Sequence, residues 1–141
     1  METKSESPIT VETAISAPPD KVWQYWTEPK HIMEWNNASD DWHTPAAEND
    51  LRTGGSFTYR MEAKDKSFGF DFSATYDEVR INKYIAYTLG DGRKVQLEFS
   101  PEGEETRITE TFEPESANSV DMQRQGWQAI LDNFKRYTES H

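Results

Sequence analysis

Apolar and polar residues alternate along most of this chain, and the period lengthens from two to three or four residues in only a few places. From Ile9 to Ala17, Ile9, Val11 and Ile15 are apolar while Thr10, Glu12 and Ser16 are polar, which predicts a half-buried strand. Pro18-Pro19-Asp20 then stops the strand and opens a helix, because proline presets a helical φ in the first turn, where its missing N–H has no partner to lose. Val22, Trp23 and Trp26 share one face of that helix. A second short helix from Pro29 to Trp35 turns Ile32 and Trp35 inward at three-residue spacing.

A polar loop, Asn36-Asn37-Ala38-Ser39-Asp40, leads into a run of strands. Phe57, Tyr59, Met61 and Ala63 alternate with polar residues; after the Asp65-Lys66-Ser67 turn, Phe68, Phe70, Phe72, Ala74 and Tyr76 do the same, predicting an aromatic ladder on one face. Ile85, Tyr87 and Leu89 run into Gly90-Asp91-Gly92, a strong hairpin signal, and Val95, Leu97 and Phe99 return from it. The last strand spans Arg107 to Glu113 with Ile108, Glu110 and Phe112 on one face. Ser119 is placed to cap a long helix reaching about Glu139, whose stripe is Trp127, Ile130, Leu131, Phe134 and Tyr137. Strand, two short helices, a meander and one long helix make an α+β order over residues 9–141, a single domain preceded by a polar, flexible stretch at 1–8.

Composition changes this picture in two respects. The chain is only 34% hydrophobic, but five Trp, six Tyr and seven Phe supply the buried area that a disordered chain lacks. Its 26 acidic and 15 basic residues leave a net charge of −11, so its field repels nucleic acid and anionic membrane surfaces. No stretch approaches the roughly 18 apolar residues of a membrane span, and the chain has no cysteine for a disulfide or thiolate site. These features are expected of a cytoplasmic protein.

Three stretches, in order, carry a family resemblance: Ile15-Ser16-Ala17-Pro18-Pro19-Asp20-Lys21-Val22-Trp23, Asp50-Leu51-Arg52-Thr53-Gly54-Gly55-Ser56-Phe57 and Gln125-Gly126-Trp127-Gln128-Ala129-Ile130-Leu131. The chain resembles the activators of the ninety-kilodalton heat-shock protein's ATPase, within the START-like, birch-pollen-allergen-like (SRPBCC) helix-grip domains. The resemblance implies a curved antiparallel sheet of six to seven strands gripping the C-terminal helix, with a cavity for a small apolar or aromatic molecule such as a lipid, polyketide or aromatic metabolite. It implies no common reaction, because related domains include carriers, cyclases, receptors and co-chaperones. A chaperone partner is thus one alternative and a cyclase-like or hydrolase-like enzyme another.

Glu110 is the residue with the most to say about chemistry. If Ile108 and Phe112 face the core, the period of two carries Glu110 inward, where an anion must be paired, wet or protonated. It is then a polar anchor or an acid/base group; alternatively its strand lies at the sheet margin and Glu110 reaches solvent. Arg52 is the candidate counterion, since Arg60 and Arg107 alternate outward. The expected cavity residues are Phe57, Tyr59, Phe70, Phe72, Tyr87, Leu97, Phe99, Glu110, Gly126, Trp127 and Ile130, with a way in near the short helices and Gly54-Gly55. These rings can also interdigitate into a solid core. Tyrosine hydroxyls in need of partners, and Gly126 inside a helix as a mark of close approach, favour open volume. His31, His43 and His141 lack ligand spacing, so neither a metal nor a cofactor is expected.

Overall fold

Prolines and turns set the boundaries of the elements. In the computed structural model, which describes residues 7–141, β1 (Ile9–Ile15) ends before Pro18; α1 (Pro19–Thr27) and α2 (Pro29–Trp35) each begin with proline in the first turn. The strands β2 (Trp42–Asn49), β3 (Ser56–Ala63), β4 (Gly69–Arg80), β5 (Tyr84–Leu89), β6 (Lys94–Glu102) and β7 (Glu105–Phe112) follow, and α3 (Val120–Ser140) closes the chain. At the β5–β6 turn Gly92 takes φ +95°, a left-handed conformation that favours glycine, and its N–H donates to the Leu89 carbonyl at 2.9 Å. The Ser119 hydroxyl accepts from the Met122 N–H at 3.1 Å and caps α3 as its sequence position predicts. Of the expected flexible N-terminus, residues 1–6 lie outside the described residues.

All seven strands form one antiparallel sheet in the order β1-β7-β6-β5-β4-β3-β2, curled into a half-barrel. Both edges are reached from the N-terminal third: β1 pairs with the final strand β7, and α1–α2 carry the chain across to β2 at the other edge. The concave face buries Ile9, Val11, Ile15, Ile85, Leu97, Ile108 and Phe112 almost completely.

The long helix does not lie evenly over this face. It docks on β1: Gln128 Nε2 donates to the Glu12 carbonyl at 3.1 Å, Lys135 Nζ to the Ala14 carbonyl at 2.5 Å, and the Ser16 N–H to Glu139 at 2.8 Å. Asn133 ties it to α2 by donating to the Trp35 carbonyl at 2.8 Å. Leu131 and Phe134 are wholly buried, each worth roughly 1.5–3 kcal/mol relative to exposure. Toward β3 and β4 only side chains reach across, as where Phe72 meets Trp127 with ring centroids 6.4 Å apart. Open space is left under that half of the helix.

Candidate functional site

That space is a cavity of about 200 Å³. Its walls come from every layer of the fold: Trp26 from α1, Trp35 from α2, Phe57 and Tyr59 from β3, Phe70 and Phe72 from β4, Tyr87 from β5, Glu110 from β7, and Trp127 and Ile130 from α3. The strand period explains the convergence, because alternate residues of β3, β4, β5 and β7 point to the same concave face. The rings pack edge and face: Phe57 stacks on Tyr59 at 4.4 Å and meets Tyr87 edge-on at 5.0 Å, while Trp127 stacks on Phe112 at 3.9 Å. Met61, Phe72, Trp127 and Ile130 are half-buried and Phe70 is 39% exposed, so the cavity opens between α3 and the β3–β4 strands. Beyond that mouth, Trp42 lies 6.0 Å from Phe68 and 6.1 Å from Phe70, extending the aromatic lip outward.

Glu110 is the one acid in this lining. It pairs in register with Val11 on β1 and Leu97 on β6, so β7 is an interior strand and the sheet-margin alternative for Glu110 does not hold. The residue is 5% exposed. Burial alone drives its pKa up from 4.5 to about 8, because the anion loses water and, among the described residues, gains neither a hydrogen-bond donor nor a cation. Arg52 is not its counterion: it pairs with Asp50 at 3.0 Å on the surface. Arg60 and Arg107 face outward as alternation predicts, toward Glu62 and Asp71 and toward Glu12 and Glu102. Burial likewise pushes the phenols of Tyr59 and Tyr87 far up, with a further contribution from the Glu110 charge. Tyr76 is anchored differently, donating to Asn49 Oδ1 at 2.6 Å.

Three residues expected at the cavity lie elsewhere. Phe99 is covered by α1, with Trp23 at 5.3 Å and Trp26 at 6.3 Å filling the space above it. Leu97, wholly buried beside Glu110 in the sheet, is packed into the core and does not reach the opening. Gly126 marks no close approach, since a Cβ placed there meets nothing within 4 Å. The Gly54-Gly55 turn is not at the mouth either; its backbone is taken up with that of Tyr76, Gly54 N–H to Tyr76 O at 2.9 Å and Tyr76 N–H to Gly55 O at 2.8 Å.

The sequence-based list of cavity residues also omits several that line it: Trp26, Trp35, Asn36, Met61, Tyr76 and Ile85. The signal for five of these was present as inward periodicity. Asn36 carried none, because its place depends on a hydrogen bond from Nδ2 to Thr44 Oγ1 at 3.2 Å across a loop. The histidines are dispersed: His31 bonds Tyr137 at 2.7 Å, His43 sits 3.9 Å from Glu62, and His141 stacks on Tyr137. Among the described residues no three His, Cys, Asp or Glu side chains converge on a point where they could hold a metal ion. Nor is any helix among them long and apolar enough to cross a membrane.

A half-barrel sheet gripping a C-terminal helix over an aromatic cavity is the architecture of the START-like helix-grip class. The chain belongs to the family described as Activator of Hsp90 ATPase homolog 1-like protein, which matches residues 16–139. The solution structure of the AHSA1-like protein from Aeromonas hydrophila is 42% identical, with a TM-score of 0.89 over 94% of this chain and 92% of that one. A protein from Cytophaga hutchinsonii, also solved in solution, is 55% identical with a TM-score of 0.82 over the same shares, 94% and 92%. A crystal structure from Nitrosomonas europaea shares the fold at 18% identity, with a TM-score of 0.82 over 98% and 97% of the two chains. Among curated proteins no sequence matches this one.

Proposed function

We propose that this protein binds a small aromatic or apolar molecule in the cavity between α3 and the β3–β4 side of the sheet. The observation that carries this reading is the open volume itself, about 200 Å³ with one buried carboxyl in a mainly aromatic wall. Apolar walls with a few placed polar groups are the usual make-up of a ligand site. The volume sets the scale of the ligand. A cavity near 150 Å³ accommodates benzene, so this one suits one or two rings better than a long-chain lipid or an extended polyketide.

Binding is favoured over catalysis because Glu110 is the only carboxylate, and the lining has no histidine, lysine or arginine, among the residues that bound the cavity. A lone acid can orient a ligand, but acid/base turnover ordinarily takes a second group. A co-chaperone role is the alternative that the family description carries, and that description is its main support.

The test is a titration of labelled protein with a panel of one- and two-ring aromatics and of lipids, followed by amide chemical shifts. Shifts should concentrate at Phe72, Tyr87, Trp127 and Ile130. A panel in which no compound moves these resonances rejects the reading.

A further inference from the structure

Three features of the cavity bear on ligand chemistry together. The Glu110 side chain borders it, 95% buried, with no donor or cation of the described chain satisfying its carboxyl. The surrounding wall is mainly aromatic, with Trp26, Trp35, Trp127, Tyr59 and Tyr87 among its residues. The lining contains no lysine, arginine or histidine that would compete for either. Resting on the cavity's role as a ligand site, we propose that its ligand is a small aromatic amine, whose ammonium group pairs with Glu110 while its ring lies against the aromatic wall.

Each alternative class leaves something unmet. An anionic ligand finds no cation in the lining and, once Glu110 ionises, a like charge. A purely apolar ligand leaves the carboxyl without a partner in a dry site, which is unfavourable for the bound state. A neutral alcohol or phenol offers Glu110 one hydrogen bond and gains no cation–π attraction from the aromatic wall. A primary ammonium supplies three donors, one of them for Glu110, and also gains cation–π attraction from the aromatic wall. The net charge of −11 adds a field that concentrates cations at the protein surface.

The titratable groups facing Glu110 are the phenols of Tyr59 and Tyr87, on β3 and β5, with Tyr76 on β4 lining the same cavity. Its register partners on β1 and β6 are Val11 and Leu97, and the helices contribute Trp26, Trp35, Trp127 and Ile130, none of which titrates. Glu110 is therefore the group that changes charge when an ammonium enters. In the free protein at pH 7 the carboxyl is mostly protonated, with a pKa of about 8. Binding of the already protonated amine forms the ammonium–carboxylate pair and releases the Glu110 proton to the buffer, so one positive charge enters and one proton leaves.

The experiment compares three single-ring probes by calorimetry at pH 7, in phosphate and in HEPES: phenethylamine, 2-phenylethanol and 3-phenylpropionate. Phenethylamine should bind about ten-fold or more tighter than the alcohol, as a charge-assisted pair requires, and the propionate weakest. The apparent enthalpy of the amine, but not of the alcohol, should change between buffers in the sense of a proton released, because burial raises the Glu110 pKa above the working pH. In Glu110→Gln the amine's advantage and its proton release should both vanish, with alcohol binding kept. The amine assignment is overturned, and the cavity's ligand role kept, if the alcohol or propionate binds as tightly as the amine. It is overturned equally if its advantage survives in Glu110→Gln, whereas an amine that binds without releasing a proton shows that Glu110 is already ionised in the free site. If none of the three probes binds and the wider panel also leaves the amide shifts unmoved, both readings fall together.

Discussion

Glu110 sits between Val11 and Leu97 in the sheet, its carboxyl without a donor or cation among the described residues, and the consequences for stability follow from its proton. The folded chain keeps that proton up to about pH 8, whereas an unfolded chain releases it near 4.5. Between those values the folded state binds more protons than the unfolded one, so this residue makes stability fall as pH rises through the window and level off above it. Replacing it by glutamine removes the titration while keeping size and polarity. Urea unfolding of Glu110→Gln across pH 4 to 9 should therefore lack this decline, gaining roughly 5 kcal/mol over the parent at the alkaline end relative to the acid end. Parallel curves for the two proteins would show that the folded site already stabilises the anion.

At the scale of elements, α3 is held by β1 and α2 rather than by the strands it overhangs, and Gly126 lies on its partly buried side. Since a Cβ at that position meets nothing within 4 Å, Gly126→Ala should stabilise the fold by about 0.5–1 kcal/mol, read as a higher urea midpoint, through helix propensity and the reduced freedom of the unfolded chain. It should leave the ligand-induced amide shifts in place. A destabilised variant would mean that the backbone needs glycine there after all. Local patterning makes the strands, caps and helices legible, and it turns Glu110 inward from Ile108 and Phe112 alone. What it does not contain is the angle at which α1 and α2 cross the sheet. That angle puts Trp23 over Phe99 and fills part of the concave face, while Trp26 and Trp35 border the part that stays open. Alternation can say which residues face inward, but whether an inward residue meets helix or void depends on contacts between elements far apart in sequence. Arg52 illustrates the same limit: no spacing distinguishes a cation free to reach the core from one taken by Asp50 two residues away.

For the whole molecule the relevant quantity is the field. Acidic residues outnumber basic ones by 26 to 15, and although many form surface pairs such as Arg107 with Glu12 and Glu102, the excess repels itself in the folded state. Salt shortens the reach of that repulsion, from about 30 Å at 10 mM to about 8 Å at 150 mM, and thereby favours the compact form. The urea midpoint at pH 7 should rise over that range. Glu110, buried and mostly protonated at this pH, takes almost no part in the repulsion, so Glu110→Gln should show the same increment as the parent. An exposed acid in the same experiment, for instance Glu104→Gln, should lower the increment slightly by removing a real charge. If Glu110→Gln instead lowers it as much as Glu104→Gln does, the Glu110 carboxyl is ionised in the free protein at pH 7. The proton release expected on amine binding would then be absent as well, which ties the surface field and the buried acid to one pair of measurements.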